Sequence, residues 1–326
     1  MKPGDWPWAG QPGPLRFDRF MELALHDPER GYYARRIRGV GKGGDFTTTP
    51  MLTPALGKAV AAWARAALKE SGCRDIIELG PGEGVLAEAV MRAFPWWAKP
   101  RLHLVERSVP LRAKQAARLG KRVTWHDTIG SALDACGGRA CLYSNEFADA
   151  FPVRRFRREA AGWSELHVAP QESWLPCEVL PESTALAQDF PQGQIVEVAE
   201  AYHAWLRGWL PQWQAGRMLT IDYGAPVGAL YHRRPRGTVR AYFMQQRLEG
   251  PDIYTNPGRQ DLTADVNFTD LQTWSTLHAQ TTALQTQRDF LLPHADPTQT
   301  TDAHAIEADG AGGAFMVLDQ KAAIIS

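Results

Sequence analysis

Cysteine is scarce in this chain and forms no pattern. Four cysteines in 326 residues, Cys73, Cys136, Cys141 and Cys177, make no CxxC pair and have no histidine at zinc-ligand spacing. That excludes a metal-binding motif and a disulfide framework, and predicts reduced structural thiols and no metal. Net charge is lacking too: 36 Lys plus Arg balance 36 Asp plus Glu, so the overall basic field of a nucleic-acid binder is missing and nucleic acid is not the expected partner. No apolar run approaches the ~18 residues of a membrane helix. Residues 1–10 are rich in Pro, Gly and Trp, without the apolar centre of a signal peptide or the Arg-rich amphipathic pattern of an organelle presequence. These absences predict a cytoplasmic protein with no membrane insertion. The 12 tryptophans, scattered from Trp6 to Trp274, make no repeat, which excludes a propeller or solenoid.

Hydrophobic residues make up 44% of the chain, enough for a substantial core and one elaborated domain. Phe17, Phe20, Met21, Ala24 and Leu25 recur at helical spacing up to Asp27-Pro28, and Leu56, Val60, Trp63 and Ala67 mark a second helix over Thr53 to Lys69. Then short apolar runs alternate with helices. Strands are predicted at 76–79, 102–106, 122–125 and 140–144, and helices at 85–94 and 111–119. Such alternation predicts an α/β fold with a parallel sheet and helices on both faces. Residues 151–198 break the alternation and read as an insertion carrying a β-hairpin around Gly162. A helix at 199–209 and a strand at 218–222 resume the fold, 237–243 and 314–318 supply the final strands, and 294–313 reads as a mobile loop. The resulting partition is an N-terminal helical cap (1–70), a cofactor-binding half (71–150), an inserted β-rich substrate region (151–198) and the second half of the core (199–326).

Chemistry concentrates in Glu78-Leu79-Gly80-Pro81-Gly82-Glu83-Gly84, which follows an apolar strand and opens a helix. Glycines there permit tight turning and let a ligand approach the backbone. Glu106 ends the next strand, where an acidic residue accepts hydrogen bonds from ribose hydroxyls. Together they point to an adenosine-containing ligand. Glu78 and Glu83 place two negative charges where a dinucleotide's pyrophosphate would sit, and the same charges suit the sulfonium and ammonium of S-adenosylmethionine. Asn145 and Glu146 follow the fourth strand and are expected near the reacting methyl; His126 and Asp127, after the third, are expected at the adenine; a helix N-cap or an edge turn is the alternative role, for Asp127 and Glu146 above all.

Several longer segments carry a resemblance that runs from about Pro14 to the last strand: residues 20–33 (FMELALHDPERGYY), 44–48 (GDFTT), the 78–84 loop, 145–147 (NEF) with 149–152 (DAFP), 221–224 (IDYG) and 258–266 (GRQDLTADV). The chain resembles the MidA-like methyltransferases, the family of a mitochondrial complex I assembly factor that methylates an arginine of a complex I subunit. The resemblance implies a class I methyltransferase (Rossmann-like) fold, S-adenosylmethionine as cofactor and a protein arginine as acceptor. Met51 and Ala148 depart from the family pattern and bear on the acceptor pocket rather than on cofactor binding. Carboxylates that grip a guanidinium bidentately orient it and draw positive charge away from the attacking nitrogen. Glu146 is the first such candidate; Asp45 and Asp261 are the second, with structural pairing to nearby arginines as their alternative role. A cofactor-binding assembly chaperone with little or no turnover is the competing function, and a dinucleotide oxidoreductase a third.

Overall fold

Local sequence accounts for the first helices of the computed structural model, which describes Pro7 and residues 13–33, 53–120, 122–169 and 171–323. After a two-residue strand, β1 (Leu15–Arg16), α1 (Phe17–His26) buries Phe17, Phe20, Met21, Ala24 and Leu25, the face expected from their spacing. It stops where Pro28 disfavours more helix, and the Asp27 carboxylate accepts the backbone N–H groups of Glu29 and Arg30 at 2.9 and 2.8 Å. α2 (Pro54–Ser71) begins at Thr53, whose hydroxyl accepts the Ala55 N–H at 3.0 Å, and ends at Gly72 with φ +67°. The alternation follows as β2 (Asp75–Leu79), α3 (Val85–Arg92), β3 (Arg101–Val105), α4 (Val109–Leu119), β4 (Val123–His126), α5 (Ile129–Ala135) and β5 (Cys141–Asn145). The remaining strands are β6 (Arg154–Arg158), β7 (Trp163–Ala169), β8 (Gln171–Pro176), β9 (Ile195–Val198), β10 (Arg217–Ala225), β11 (Arg240–Phe243), β12 (Gln246–Leu248), β13 (Asp261–Thr263), β14 (Val266–Asn267), β15 (Ala279–Thr286) and β16 (Phe315–Ala322).

The described residues fall into two compact units. One comprises described residues of 39–147, 206–224 and 272–326. Its strands lie in the order β15-β16-β10-β5-β2-β3-β4; β10, β5, β2, β3 and β4 are parallel, and β16 is antiparallel to both its neighbours. Leu56, Val60 and Trp63 of α2 share one core with Ile76, Leu102, Leu104, Tyr143, Leu219 and Val317 of the sheet. Each such fully buried aliphatic side chain contributes about 1.5–3 kcal/mol. The sheet order reverses between β2 and β5, and in open α/β sheets ligands bind at the carboxyl ends of the strands at such a reversal.

The other unit comprises described residues of 1–38, 148–205 and 225–271. Its larger sheet is antiparallel in the order β1-β7-β6-β9, with β8 also on β7. Gly162, at φ +81°, turns β6 into β7, as the sequence suggests, but the inserted region supplies four strands rather than a single hairpin. Arg154 and Glu165, on neighbouring strands, are both buried and joined by two bonds of 2.6 and 2.8 Å. A second sheet has the order β12-β11-β13. These units cut across the linear segments drawn from the sequence, because α1 groups with the inserted strands and not with α2.

Three other expectations change. Residues 240–243 are a strand, but of the small sheet and not of the main one, whose last two strands along the chain are β15 and β16. β15, AQTTALQT, escapes the hydrophobic pattern because it lies at the sheet edge and is largely half-exposed. Residues 294–313 are not a structureless loop: they hold short helices at Thr300–Ala305 and Ala311–Ala314, organised by the fully buried Asp302, which accepts from the Thr53 hydroxyl and from the Asp296 N–H at 2.9 Å. A polar, Ala/Gly-rich stretch is thus ordered by one long-range acceptor that composition does not reveal.

Candidate active site

The Gly80 to Gly84 loop leaves β2 with all three of its glycines at positive φ, +61°, +53° and +78°, a conformation costly for side chains with a Cβ. A Cβ on Gly80 would lie 2.6 Å from the Phe147 ring, so this glycine is where the turn after β2 meets the turn after β5. A Cβ on Gly82 would meet nothing within 4 Å, leaving an open approach to the backbone there.

Gln115 ties the loop to the next strand, and no motif pointed to it. Its side chain is fully buried; its amide donates to the Gly82 carbonyl at 2.7 Å and to Glu106 at 3.4 Å, and accepts from the Trp125 indole at 2.8 Å. The only available signal was its place one turn after Leu111 on the buried stripe of α4. Glu106 also accepts the Ser108 N–H at 2.7 Å, and burial raises its carboxyl above the ordinary range. Arg112 donates to the Glu106 carbonyl and to the Asp127 carboxylate, both at 2.7 Å, so Asp127 stands beside Glu106 in an exposed ion pair. His126 turns sideways: its Nε2 is 2.9 Å from Nδ1 of His103, whose Nε2 is 3.0 Å from Asp75.

Asp75, His103 and Cys136 bring potential metal-ligand atoms within 4.8 Å of one another, a grouping invisible in the spacing of the sequence. Both ring nitrogens of His103 are already engaged, and Asp75 is paired with Arg101 at 2.6 Å. Burial pushes the Cys136 thiol up to about 12. The imidazole and the carboxylate of this grouping are thus already engaged with protein partners.

The two glutamates of the loop differ from their expected roles as bare charges. Glu83 is paired with Lys114 at 2.7 Å. Glu78 is buried beneath the sheet end, accepts the Tyr143 hydroxyl at 2.9 Å, and is pushed up to about 8 by burial. Repulsion of a pyrophosphate is therefore weaker than two free carboxylates would produce. Glu78 should instead make stability pH-dependent. The folded protein holds a proton that the unfolded chain releases in the ordinary carboxylate range, so this stabilisation is complete below that range and is lost as pH rises towards 8. Melting temperatures of wild type and Glu78→Gln, measured from about pH 5 to about pH 8, should diverge in the variant's favour as pH rises. A constant difference across that interval would show that Glu78 carries no proton in the fold.

At the end of β5 the Asn145 amide donates to the Glu146 carboxylate at 3.0 Å, while Asn145 Oδ1 is buried with no hydrogen-bond partner. Glu146 adopts φ +53°, one of four non-glycine residues at positive φ among the described residues, and its N–H donates to the Ile221 carbonyl at 3.0 Å. Such a backbone costs about 1–3 kcal/mol and persists where the surroundings hold it. Asp222, fully buried on β10, does the holding: its carboxylate accepts the Phe147 N–H at 3.1 Å and the Tyr223 N–H at 2.9 Å. Gly80, Gly82, Gly84, Glu106, Asn145 and Glu146 thus all belong to the carboxyl edge of one sheet. Asp261 lies in the other unit, where Tyr33 donates to it at 3.3 Å; burial and the neighbouring Asp149 push it up to about 7. Asp45 and Met51 lie outside the described residues.

The sequence profile of a family described as S-adenosyl-L-methionine-dependent methyltransferase matches residues 55–286. The chain belongs to that family. This methyltransferase is 27% identical to the mitochondrial protein arginine methyltransferase NDUFAF7 of Xenopus tropicalis over 321 residues, 86% of this chain and 71% of the relative. The human NDUFAF7 is 28% identical over 305 residues, 80% of this chain and 65% of that protein. Among solved structures, a Burkholderia thailandensis superfamily member bound to S-adenosyl-homocysteine superposes with a TM-score of 0.82 at 28% identity, covering 95% of this chain and 88% of that one. The fold is that of the S-adenosylmethionine-dependent methyltransferases, and the methyltransferase uses that cofactor. The cytoplasmic placement does not stand: the named relatives are mitochondrial proteins, and a missing leader pattern carries no information about compartment. No described helix is long and apolar enough to cross a membrane.

Proposed function

We propose that this methyltransferase modifies a guanidinium nitrogen of an arginine in a protein acceptor, with Glu146 as the group that grips the guanidinium. The observation that carries this is the Glu146 turn: a carboxylate on a backbone held at φ +53°, at the sheet reversal, joined to the glycine loop through the Phe147 and Gly80 contact. The names of the NDUFAF7 relatives support the acceptor class. A complex I-type subunit is the acceptor that the family resemblance suggests.

The residues present fit the cofactor. Asn145 Oδ1 is a buried acceptor without a partner, suited to an ammonium donor; Gly82 leaves its backbone open; and the Glu106 carboxylate, tied by Ser108 and Gln115, suits ribose hydroxyls. When bound, S-adenosylmethionine supplies an electrophilic methyl on a good leaving group. The chain then has to align the acceptor and manage its charge. An ionised Glu146 holds the guanidinium in one orientation and polarises it.

Release of S-adenosylhomocysteine on incubation of the full chain with cofactor and an arginine-containing peptide of a complex I-type subunit tests the assignment. Release is expected with that peptide and is expected to disappear when its arginine is replaced by lysine. Release that persists with the lysine peptide would reject arginine as the acceptor; cofactor binding without release from any acceptor would favour the assembly chaperone.

A further inference from the structure

Among the described residues the other tryptophans are at least partly packed, but Trp96 and Trp97 are 80% and 72% exposed. They occupy a single 3-10 turn between α3 and β3, bracketed by Pro95 and Pro100. Their rings stand edge to face with centroids 5.7 Å apart. The turn is firmly mounted. Phe94 just before it is buried, the Arg65 guanidinium lies 5.7 Å from the Phe94 ring and donates to the Ala93 carbonyl at 3.0 Å, and the Ala98 N–H donates to the Pro95 carbonyl at 3.0 Å. Two large apolar rings are therefore presented to solvent on a rigid support, which the folding of this unit does not require.

The charge around them has one dominant sign, although the chain as a whole is neutral. Arg65, Arg74, Arg92, Lys99 and Arg101 surround the turn in sequence or through contacts of the same segment, against Glu88, paired with Arg92 and Arg118, and Asp75, paired with Arg101. The Arg92 and Arg101 side chains remain 77% and 68% exposed despite those pairs. The turn precedes β3, so it lies at the amino edge of the parallel strands, the edge opposite the one that carries the glycine loop, Glu106 and Asn145.

We propose that this Trp96–Trp97 turn docks the methyltransferase onto an anionic lipid bilayer. Indoles favour the water–hydrocarbon boundary, where an apolar ring and an N–H both find suitable surroundings, and adjacent Lys and Arg side chains are drawn to anionic headgroups. The arrangement is that of a peripheral anchor: the rings enter the headgroup region, the cations stay at its surface, and no segment crosses the membrane. Docking by the amino edge leaves the cofactor edge of this unit facing away from the lipid.

Cosedimentation of the full chain with vesicles of phosphatidylcholine alone, and of phosphatidylcholine with about 30% phosphatidylglycerol, tests the proposal. Binding is expected to the anionic vesicles and to weaken several-fold at about 0.5 M salt. The double substitution Trp96→Ala, Trp97→Ala should lower the partition coefficient at least about tenfold, since each ring would lose a substantial apolar burial. Its S-adenosylmethionine affinity should stay at the wild-type value, because neither ring belongs to the cofactor edge. Three outcomes overturn the proposal: no cosedimentation with anionic vesicles, equal binding to neutral ones, or binding that the double variant retains. Loss in that variant of a protein partner alone, with vesicle binding absent from wild type, overturns it as well.

Discussion

Glu146→Gln is expected to lower turnover about a hundred- to a thousand-fold while leaving S-adenosylmethionine affinity within about twofold of wild type. Glutamine keeps the shape of the side chain and can still accept from the Asn145 amide, a bond of 3.0 Å in the wild type, so the strained turn and the cofactor edge should survive. What is lost is the negative charge that the proposed role sets against a cationic acceptor. One well-placed electrostatic group is worth about 2.7–4 kcal/mol of transition-state stabilisation, and an interaction used mainly there lowers the rate without an equal loss of ground-state binding. Turnover and calorimetric affinity measured on the same preparation separate the two effects. Near-normal turnover on a verified acceptor would reduce Glu146 to a structural residue, and Asp261 would then be the carboxylate to replace.

Glu106→Ala should weaken S-adenosylmethionine about ten- to a hundred-fold, equivalent to roughly 1.5–3 kcal/mol for a charged hydrogen-bond acceptor. The structure sharpens how that test must be controlled. One Glu106 oxygen accepts the Ser108 N–H at 2.7 Å, at the N-terminus of α4, so truncation also removes a local tie. The other is 3.4 Å from Gln115, a long bond that a ribose hydroxyl can replace. A melting curve distinguishes loosening of α4 from loss of a ligand contact. Full affinity in a folded Glu106→Ala protein would remove this residue from the cofactor site.

Much of the cofactor edge was legible in the sequence because its requirements are local. Three glycines after a short apolar strand announce three left-handed backbones, and Gly80, Gly82 and Gly84 adopt them. Thr53, the expected start of the second helix, caps it by a side chain that reaches only two residues ahead, whereas the helix expected from Leu111 starts at Val109 under the Ser108 cap. Gln115 and Asp222 were not legible as members of the site. A buried glutamine within a helix and an aspartate within a strand look alike whether they tie a functional turn or fill a corner of the core. Their significance comes from carbonyls and N–H groups 33 and 75 residues away in sequence. β15 was missed for a related reason: an edge strand that is half-exposed need not show the apolar alternation of its neighbours.

By itself, the sequence determined the parallel strands β2 to β5 and β10, the helices α3 and α4 between the first of them, the glycine loop, the acidic residue after the next strand and the carboxylate after β5. Each depends on backbone preference or apolar periodicity within a few residues. Tertiary structure alone decided which charges act as charges. Glu78 and Glu83 read identically in the loop, yet the first is buried against Tyr143 and pushed up to about 8, while the second is neutralised by Lys114. It also decided that α1 folds with strands more than a hundred residues later, that Asp302 orders a stretch resembling a loop, and that Trp96 and Trp97 remain in solvent while the other described tryptophans are at least partly packed. Desolvation and ion pairing depend on what the fold brings alongside a group, and that neighbour is set by long-range packing rather than by the residues adjacent in the chain.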